Sequence, residues 1–136
     1  MQGLILLTSL LCALFICSTC DDTVRYNAQE FQAKLATHKL AVVDFYAPWC
    51  HYSKALLPEF EGAAIVINSI LKMNVGMVLI DCYNQDQEAL CSQNKIVGYP
   101  TVKIYKNGVF FKDFNGPRTS EALVYFIMDI THGLIN

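Results

Sequence analysis

The chain of 136 residues has few charged side chains and no block of basic ones. Charged residues make up 16% of the sequence and the formal net charge is −2, so nothing indicates binding to nucleic acid or to an anionic membrane surface. Linkers, internal repeats and low-complexity stretches are missing as well. The length therefore predicts one domain, and a hydrophobic content of 54% is ample for its core.

Long apolar runs are absent apart from one near the N-terminus. Residues 4–16 are almost purely apolar, but thirteen residues extend only about 20 Å as a helix, too short for about 30 Å of bilayer hydrocarbon. Small residues at 17–20 and the acidic pair Asp21-Asp22 follow. This order is typical of a secretory signal peptide, although the first three residues carry no Lys or Arg. We expect a signal peptide at 1–20, one domain at 21–136 and no membrane span in the mature chain.

Cysteine is scarce once the signal peptide is set aside. Six cysteines occur in the whole sequence, and the single C-x-x-C motif, at 17–20, lies at the predicted cleavage site ahead of any fold. The mature chain should keep Cys50, Cys82 and Cys91. Disulfides are permitted on the secretory route, so two of these three can pair and leave one odd thiol.

Strand and helix patterns alternate along the mature chain, and the last two strands form a hairpin. This order, βαβαβαββα, predicts an α/β fold with a mixed central sheet and helices on both faces. The predicted strands are residues 23–26, 40–46, 75–80, 101–105 and 109–113, and the predicted helices are 27–37, 50–71, 87–94 and about 120–130, the last one capped by Ser120.

The stretch A-P-W-C-H-Y-S-K, residues 47–54, has the flanks of a thiol–disulfide site but only one cysteine. A turn followed by a helix places Cys50 at a helix N-terminus, where unpaired N–H groups and a partial positive charge favour the thiolate. His51 and Lys54 add cationic character, and the Ser53 hydroxyl can donate a hydrogen bond. These features predict a reactive Cys50, and the alternative is a buried structural cysteine.

Ser53 stands where a dithiol site has its second cysteine. A serine hydroxyl cannot attack a mixed disulfide and release the first sulfur, so Cys50 could capture a substrate disulfide but not let it go. Release would need another thiol, such as glutathione or a second cysteine of the substrate. Net oxidation or reduction through a site disulfide is excluded, whereas shuffling or capture of substrate disulfides is not.

Three motifs together resemble the thioredoxin superfamily, most closely one catalytic-type domain of the protein disulfide isomerase family. They are V-V-D-F-Y-A-P-W-C at 42–50, G-Y-P-T at 98–101 and F-N-G-P-R-T at 114–119. The likeness extends from Thr23 to Ile130 and implies a thioredoxin fold. It also implies thiol–disulfide exchange on client proteins during protein folding.

The resemblance implies a role for each matching site residue. Cys50 corresponds to the attacking cysteine, Asp44 to the buried acid beneath the site, Pro100 to the cis-proline that faces the nucleophile, and Arg118 to a mobile arginine that tunes the site cysteine. Each also has a plainer alternative, since Asp44 could be a satisfied core carboxylate, Pro100 a trans turn proline and Arg118 a solvated loop charge.

The site also departs from the family. The usual C-G-H-C becomes C-H-Y-S, with His51 directly after the cysteine and Tyr52 in the usual place of the histidine. A few family members with serine in this position form long-lived mixed disulfides and retain clients in the early secretory pathway. Trp49 and Tyr99 would contact the substrate beside the proline, and Lys54 completes the active-site loop.

Cys82 and Cys91 are the two cysteines of the mature chain that still need an assignment. Some disulfide isomerase domains carry a similar pair that forms a structural disulfide, which we expect here; two reduced core cysteines or a second redox pair are the alternatives. Metal binding is not expected, because these cysteines, His38 and His132 do not form a ligand-spaced cluster.

The sequence thus predicts a monothiol disulfide isomerase-type protein that acts on cysteine-containing clients through mixed disulfides. It needs no cofactor beyond an external thiol, and we expect a monomer. We expect the protein in the endoplasmic reticulum lumen or secreted. The chain ends in Gly-Leu-Ile-Asn rather than a retrieval tetrapeptide, which favours secretion unless a partner holds the protein or the sequence is a truncated isoform. The alternatives are a non-catalytic peptide-binding or chaperone module and a degenerate paralogue without redox activity.

Overall fold

The computed structural model describes residues 22–133; the predicted signal peptide at 1–20 and its cysteines lie outside the described residues. Within 22–133, no helix combines the length and apolar character needed to cross a membrane. The elements in chain order are α1 (Phe31–Leu35), β1 (Leu40–Tyr46), α2 (His51–Ala64), a π-helical segment (Ile65–Ile70), β2 (Gly76–Asp81), α3 (Glu88–Gln93), β3 (Thr101–Lys106), β4 (Val109–Asp113) and α4 (Ser120–Thr131).

The four strands form one mixed sheet in the order β2-β1-β3-β4. Strand β1 pairs parallel to β2 and antiparallel to β3, and β3 pairs antiparallel to β4. All seven residues of β1 are buried, as expected for an apolar central strand covered on both faces. The predicted α/β class with a mixed sheet is therefore confirmed.

Each face of the sheet has its own hydrophobic core, and β1 contributes to both because its side chains alternate. One core includes side chains from α2 and α4, and the other includes side chains from α1 and α3. The first core contains Val42 and Tyr46 of β1, and the second contains Val43 and Phe45. Asp44 shares the face of Val42 and Tyr46, so alternation places its carboxyl group on the side of the sheet that α2 and α4 cover.

The predicted first strand, at 23–26, is wrong. Only Val24 pairs, through one isolated bridge with Val78, in which its N–H donates to the Met77 carbonyl oxygen and its own carbonyl oxygen accepts from the Leu79 N–H, each at 2.9 Å. The sheet therefore has four strands rather than five.

The chain turns soon after this bridge, at a reciprocal pair of hydrogen bonds. The Asn27 N–H donates to Glu30 Oε1 at 3.2 Å, and the Glu30 N–H donates to Asn27 Oδ1 at 3.0 Å. This capping box ends the extended segment and begins the turn that leads into α1.

The helix predicted at 50–71 divides into α2 and the π-helical segment. At the end of that segment, the Asn68 side-chain amide donates to the Val75 carbonyl oxygen and accepts from the Val75 N–H, both at 2.8 Å. One side chain thereby satisfies both backbone groups of the residue that precedes β2 and fixes the helix against the strand.

The cap predicted for the last helix is wrong by one residue. Thr119 caps α4 by accepting from the Ala122 N–H at 3.2 Å. Ser120 instead fastens α4 to α2, because its N–H and hydroxyl donate to Glu59 Oε2 at 2.6 and 2.9 Å. These bonds lower the pKa of the Glu59 carboxyl group.

The predicted hairpin is confirmed. Asn107 and Gly108 connect β3 to β4, both with positive φ, at 51° and 79°. A Cβ at residue 108 would lie 3.0 Å from Ala36 Cα, so the turn has no room for a side chain there as well as requiring a left-handed backbone.

Candidate functional site

Cys50 lies directly before α2, at its N-cap, with an extended backbone (φ −80°, ψ 126°). Its thiol is partly exposed, and it is a free cysteine in the described part of the chain. The sulfur lies 3.7 Å from the carbonyl oxygen of Tyr99, the residue before Pro100. The sulfur is thus accessible at the helix start rather than enclosed in the core.

Backbone groups of the first helical turn stabilise the anionic form of this sulfur. The Ser53 N–H donates to it and lowers the pKa of the Cys50 thiol; the Tyr52 N–H, the Ser53 hydroxyl and the charge of Arg118 lower it further, against the opposing effect of partial burial. The expected cations His51 and Lys54 are exposed on the first turn of α2. The main stabilisation therefore comes from the helix N-terminus itself.

Ser53, where a dithiol site would have its second cysteine, is fully buried. Its oxygen accepts from the Ala47 N–H at 3.2 Å, and its hydroxyl bond to Cys50 lowers the pKa of that thiol. The serine therefore connects the end of β1 to the start of α2 and supports the charge on Cys50 without supplying a second nucleophile.

Asp44 is fully buried in the central strand, and neither carboxyl oxygen has a hydrogen-bond partner among residues 22–133. Burial raises its pKa to about 7, although the charge of Arg118 opposes this shift. The alternative of a satisfied core carboxylate does not fit, because a satisfied carboxylate would have hydrogen-bond donors. Near neutral pH, a proton can be added to or removed from this carboxyl group.

Pro100 and Arg118 meet beside the sulfur. The Tyr99–Pro100 peptide bond is cis, as the resemblance implied, and Arg118 Nη2 donates to the Pro100 carbonyl oxygen over 3.5 Å. A cavity of about 420 Å³ follows this segment, with Tyr99, Pro100, Arg118 and Lys95 in its wall. The fold therefore brings residues from three distant motifs to one end of the sheet.

Several aromatic side chains lie around the site. The Trp49 ring is 60% exposed and makes edge-to-face contacts with Tyr83 at 5.4 Å and Tyr99 at 6.1 Å. Tyr83 and Tyr99 also contact each other, at 6.0 Å. A further exposed ring, Tyr52, contacts His51 on α2. We call Trp49, Tyr83 and Tyr99 the aromatic triad.

Sequence reasoning missed Tyr83. One signal was available, because Tyr83 comes two residues after the end of β2, and parallel strands β1 and β2 end at the same edge of the sheet. Residues that follow those strands are therefore brought close together, as Trp49 and Tyr83 are.

Cys82 and Cys91 are joined by a disulfide, with 5.6 Å between their Cα atoms. Closing a loop of this length contributes on the order of 2–3 kcal/mol. The two cysteines thus pair as expected, and their disulfide fixes the backbone next to Tyr83. Among residues 22–133, no group of three or more His, Cys, Asp or Glu side chains is arranged to hold a metal ion.

Comparison with protein families and curated proteins gives consistent matches. The thioredoxin family model matches residues 22–129. A probable protein disulfide-isomerase ER-60 from Schistosoma mansoni is 37% identical over 122 residues, which cover 88% of this chain and 24% of that protein. The protein disulfide-isomerase of Saccharomyces cerevisiae is 36% identical over 108 residues, covering 77% of this chain and 20% of that protein. The chain thus spans about a quarter or less of these relatives.

Solved structures show the same fold. Human ERp44 matches with a TM-score of 0.73 and 28% identity, covering 79% of this chain and 29% of that one. The first thioredoxin domain of mouse protein disulfide-isomerase A4 matches with a TM-score of 0.69 and 29% identity, covering 82% of this chain and 76% of that one. The arrangement of β1–β4 and α1–α4 is therefore a thioredoxin fold.

Replacing Ser53 with alanine should make Cys50 less reactive at neutral pH. Ser53→Ala removes the hydroxyl that stabilises the thiolate, so the pKa of the Cys50 thiol should rise and iodoacetamide alkylation at pH 7 should slow about three- to tenfold. The measurement is the alkylation rate across pH. Thr131→Ala, which removes a hydroxyl from the last residue of α4, is the control, and an unchanged pH profile for Ser53→Ala would contradict the assignment.

Asp44 should make the fold less stable as the pH rises. Its folded pKa of about 7 exceeds the ordinary value of 3.8, so the stability that protonation adds is complete below about pH 4 and is lost as the pH rises through 7. Between pH 5 and 8 the free energy of unfolding should fall by roughly 2–3 kcal/mol for this reason. Asp44→Asn should remove most of that difference in urea unfolding, whereas Asp86→Asn, at an exposed aspartate, should keep it. Equal pH dependence in the Asp44 variant and the wild type would exclude a strongly raised pKa.

Proposed function

Since this chain belongs to the thioredoxin family, we propose that it is a protein disulfide isomerase-type protein with a monothiol site, in which Cys50 attacks disulfides of client proteins. The observation that carries the proposal is the sulfur itself, partly exposed at the start of α2 with a lowered pKa. A thiolate in an accessible position is what thiol–disulfide exchange requires.

The first step forms one bond and breaks one. The Cys50 thiolate attacks a client disulfide, a new disulfide joins Cys50 to one client sulfur, and the other client sulfur leaves as a thiolate. The Tyr99 carbonyl and the adjacent Pro100 lie next to the sulfur, where a bound client segment would run. Arg118 supplies positive charge near the sulfur throughout.

Release requires a thiol from elsewhere. Ser53 cannot attack the mixed disulfide, and Cys82 and Cys91 are already paired with each other. A second client thiol would regenerate the Cys50 thiolate and leave an isomerised client. A small thiol such as glutathione that attacks the client sulfur would free Cys50 and leave a client–glutathione disulfide, and a second glutathione would then reduce the client and leave as glutathione disulfide. Without either, the client stays attached, which amounts to retention.

The same proposal places the protein in the endoplasmic reticulum lumen or outside the cell, as a monomer that needs no bound cofactor. The signal-like pattern at 1–20 and the Cys82–Cys91 disulfide support this location, because disulfides persist in oxidising compartments.

A second candidate function is non-covalent peptide binding. Three aromatic rings around the site, Trp49, Tyr52 and Tyr83, are each more than half exposed, and large exposed apolar side chains that lie close together often mark interaction surfaces. In this alternative the surface binds unfolded clients and Cys50 contributes nothing essential.

A cysteine at position 53 should convert capture into turnover. Ser53→Cys supplies the missing attacking thiol, so mixed disulfides with clients should become short-lived and insulin reduction in the presence of dithiothreitol should appear. Non-reducing electrophoresis and insulin turbidity measure the two effects. Ser53→Ala, which changes the same position without adding sulfur, is the control. A Ser53→Cys variant as inactive as the wild type would show that the site is not competent for exchange.

Removal of the Cys50 sulfur separates the two candidate functions. Cys50→Ala should abolish the covalent capture of a peptide whose cysteine is linked to glutathione by a disulfide, a reaction that releases glutathione, and it should also lower the total amount of peptide retained at equilibrium at least tenfold. Fluorescence anisotropy with a labelled peptide measures binding, and the same peptide with alanine in place of cysteine is the control. Equal retention of both peptides by both proteins would favour the non-covalent binding module instead.

A further inference from the structure

A second cavity, of about 430 Å³, shares Tyr99 with the cavity that Arg118 lines. Tyr83 and Tyr99 form part of its wall, together with Ile96, Glu88 and the Cys82–Cys91 disulfide. The disulfide joins the segments before Tyr83 and after Glu88, so this wall is covalently fixed. The cavity is therefore a built feature of the fold rather than a gap between mobile loops.

The charge in this cavity is negative. Among residues 22–133, Glu88 is the acidic side chain in its wall, and no lysine or arginine lines it. The ion pair found among residues 22–133 joins Lys103 to Asp113, so Glu88 has no cationic partner there. The cavity along Pro100, in contrast, has Lys95 and Arg118 in its wall.

A cationic side chain binds favourably where aromatic rings lie near an unpaired carboxylate. The ring face attracts a guanidinium or ammonium group, and the carboxylate adds a charge-assisted hydrogen bond. The Tyr83 side chain is 57% exposed, so it can be reached from solvent. An apolar side chain would use the rings but would gain nothing from the Glu88 carboxylate, which is exposed to solvent.

Tyr99 connects this cavity to the reactive sulfur. Its carbonyl oxygen lies 3.7 Å from Cys50 Sγ, and its side chain lines the cavity. A single residue, Tyr99, thus contacts both the sulfur and the cavity, and two extended client residues span about 7 Å. A client held through its cysteine at Cys50 would therefore bring a residue near that cysteine to the cavity.

We propose that the cavity between Tyr83, Tyr99 and Glu88 is a specificity subsite that receives an arginine or lysine side chain located within two residues of the client cysteine. This inference rests on the proposed function, since attachment at Cys50 is what places the client. It names a class of client: disulfide-bonded segments with a basic residue next to the cysteine.

The test uses short peptides whose single cysteine is linked to thionitrobenzoate. The Cys50 thiolate attacks the peptide sulfur, a peptide–Cys50 disulfide forms, and the coloured thionitrobenzoate anion leaves, so its appearance gives the rate. The peptides carry Arg, Ala, Leu or Glu two residues before or after the cysteine. At least one Arg peptide should react about three- to tenfold faster than its Ala counterpart, and Glu should be slower.

Matched variants separate the subsite from general charge attraction. Glu88→Gln and Glu121→Gln each remove one acid from the first turn of a helix and change the net charge equally. Glu88→Gln should remove the rate advantage of the Arg peptide over the Ala peptide, and Glu121→Gln should leave that advantage unchanged. Tyr83→Ser should also reduce the ratio, whereas Tyr125→Ser, at a ring 59% exposed on α4, should not.

The other possible results of the peptide assay each contradict either the subsite alone or the exchange function as well. Equal rates for all peptides would overturn the subsite and leave the proposed exchange function intact. A preference for Leu over Arg, or an Arg preference that Glu88→Gln and Glu121→Gln reduce equally, would also overturn it. Release from none of the peptides would overturn the exchange function, and the subsite with it.

Discussion

The site depends on one electrostatic constraint, the stabilisation of a single sulfur by the first turn of α2. The N–H groups of Ser53 and Tyr52 reach Cys50 only because α2 begins directly after it. That starting point is fixed by β1, whose fully buried residues hold the strand in the middle of the sheet. The Ser53 hydroxyl then fastens the strand end to the helix start at Ala47. Reactivity is thus a property of the strand–turn–helix unit more than of any neighbouring charge.

Two buried polar side chains, Asp44 and Ser53, flank the active-site turn in sequence. Asp44 remains buried without a donor, at a cost that a core position would normally avoid. Ser53 fills the space of a thiol and still bonds to Cys50. The pocket therefore holds a serine in place of a second thiol and contains groups that stabilise charge on Cys50.

Local patterns in the sequence predicted most of the fold. The apolar run of β1, the Asn107-Gly108 turn and the alternation of strands and helices from β1 onward each depend on neighbouring residues, and they were predicted correctly. The errors arise where distant contacts decide. Ser120 is drawn away from the capping role by Glu59, which lies 61 residues earlier.

The same reason explains what was missed at the site. Cys50, Pro100 and Arg118 belong to motifs that can be read from sequence, whereas Tyr83 belongs to none. Its part in the aromatic triad exists only because the sheet brings the ends of β1 and β2 together. The cavity beside it depends further on the Cys82–Cys91 disulfide.

Under the proposed function, the serine at position 53 has a consequence for quantity as well as for chemistry. A dithiol site can empty itself and serve many clients in succession, but a site with one sulfur is filled by the first client it takes. Where free thiols are dilute, the number of clients held cannot exceed the number of chains. The protein would then work as a reservoir whose size follows its abundance, and the surrounding thiol concentration would decide how fast that reservoir drains.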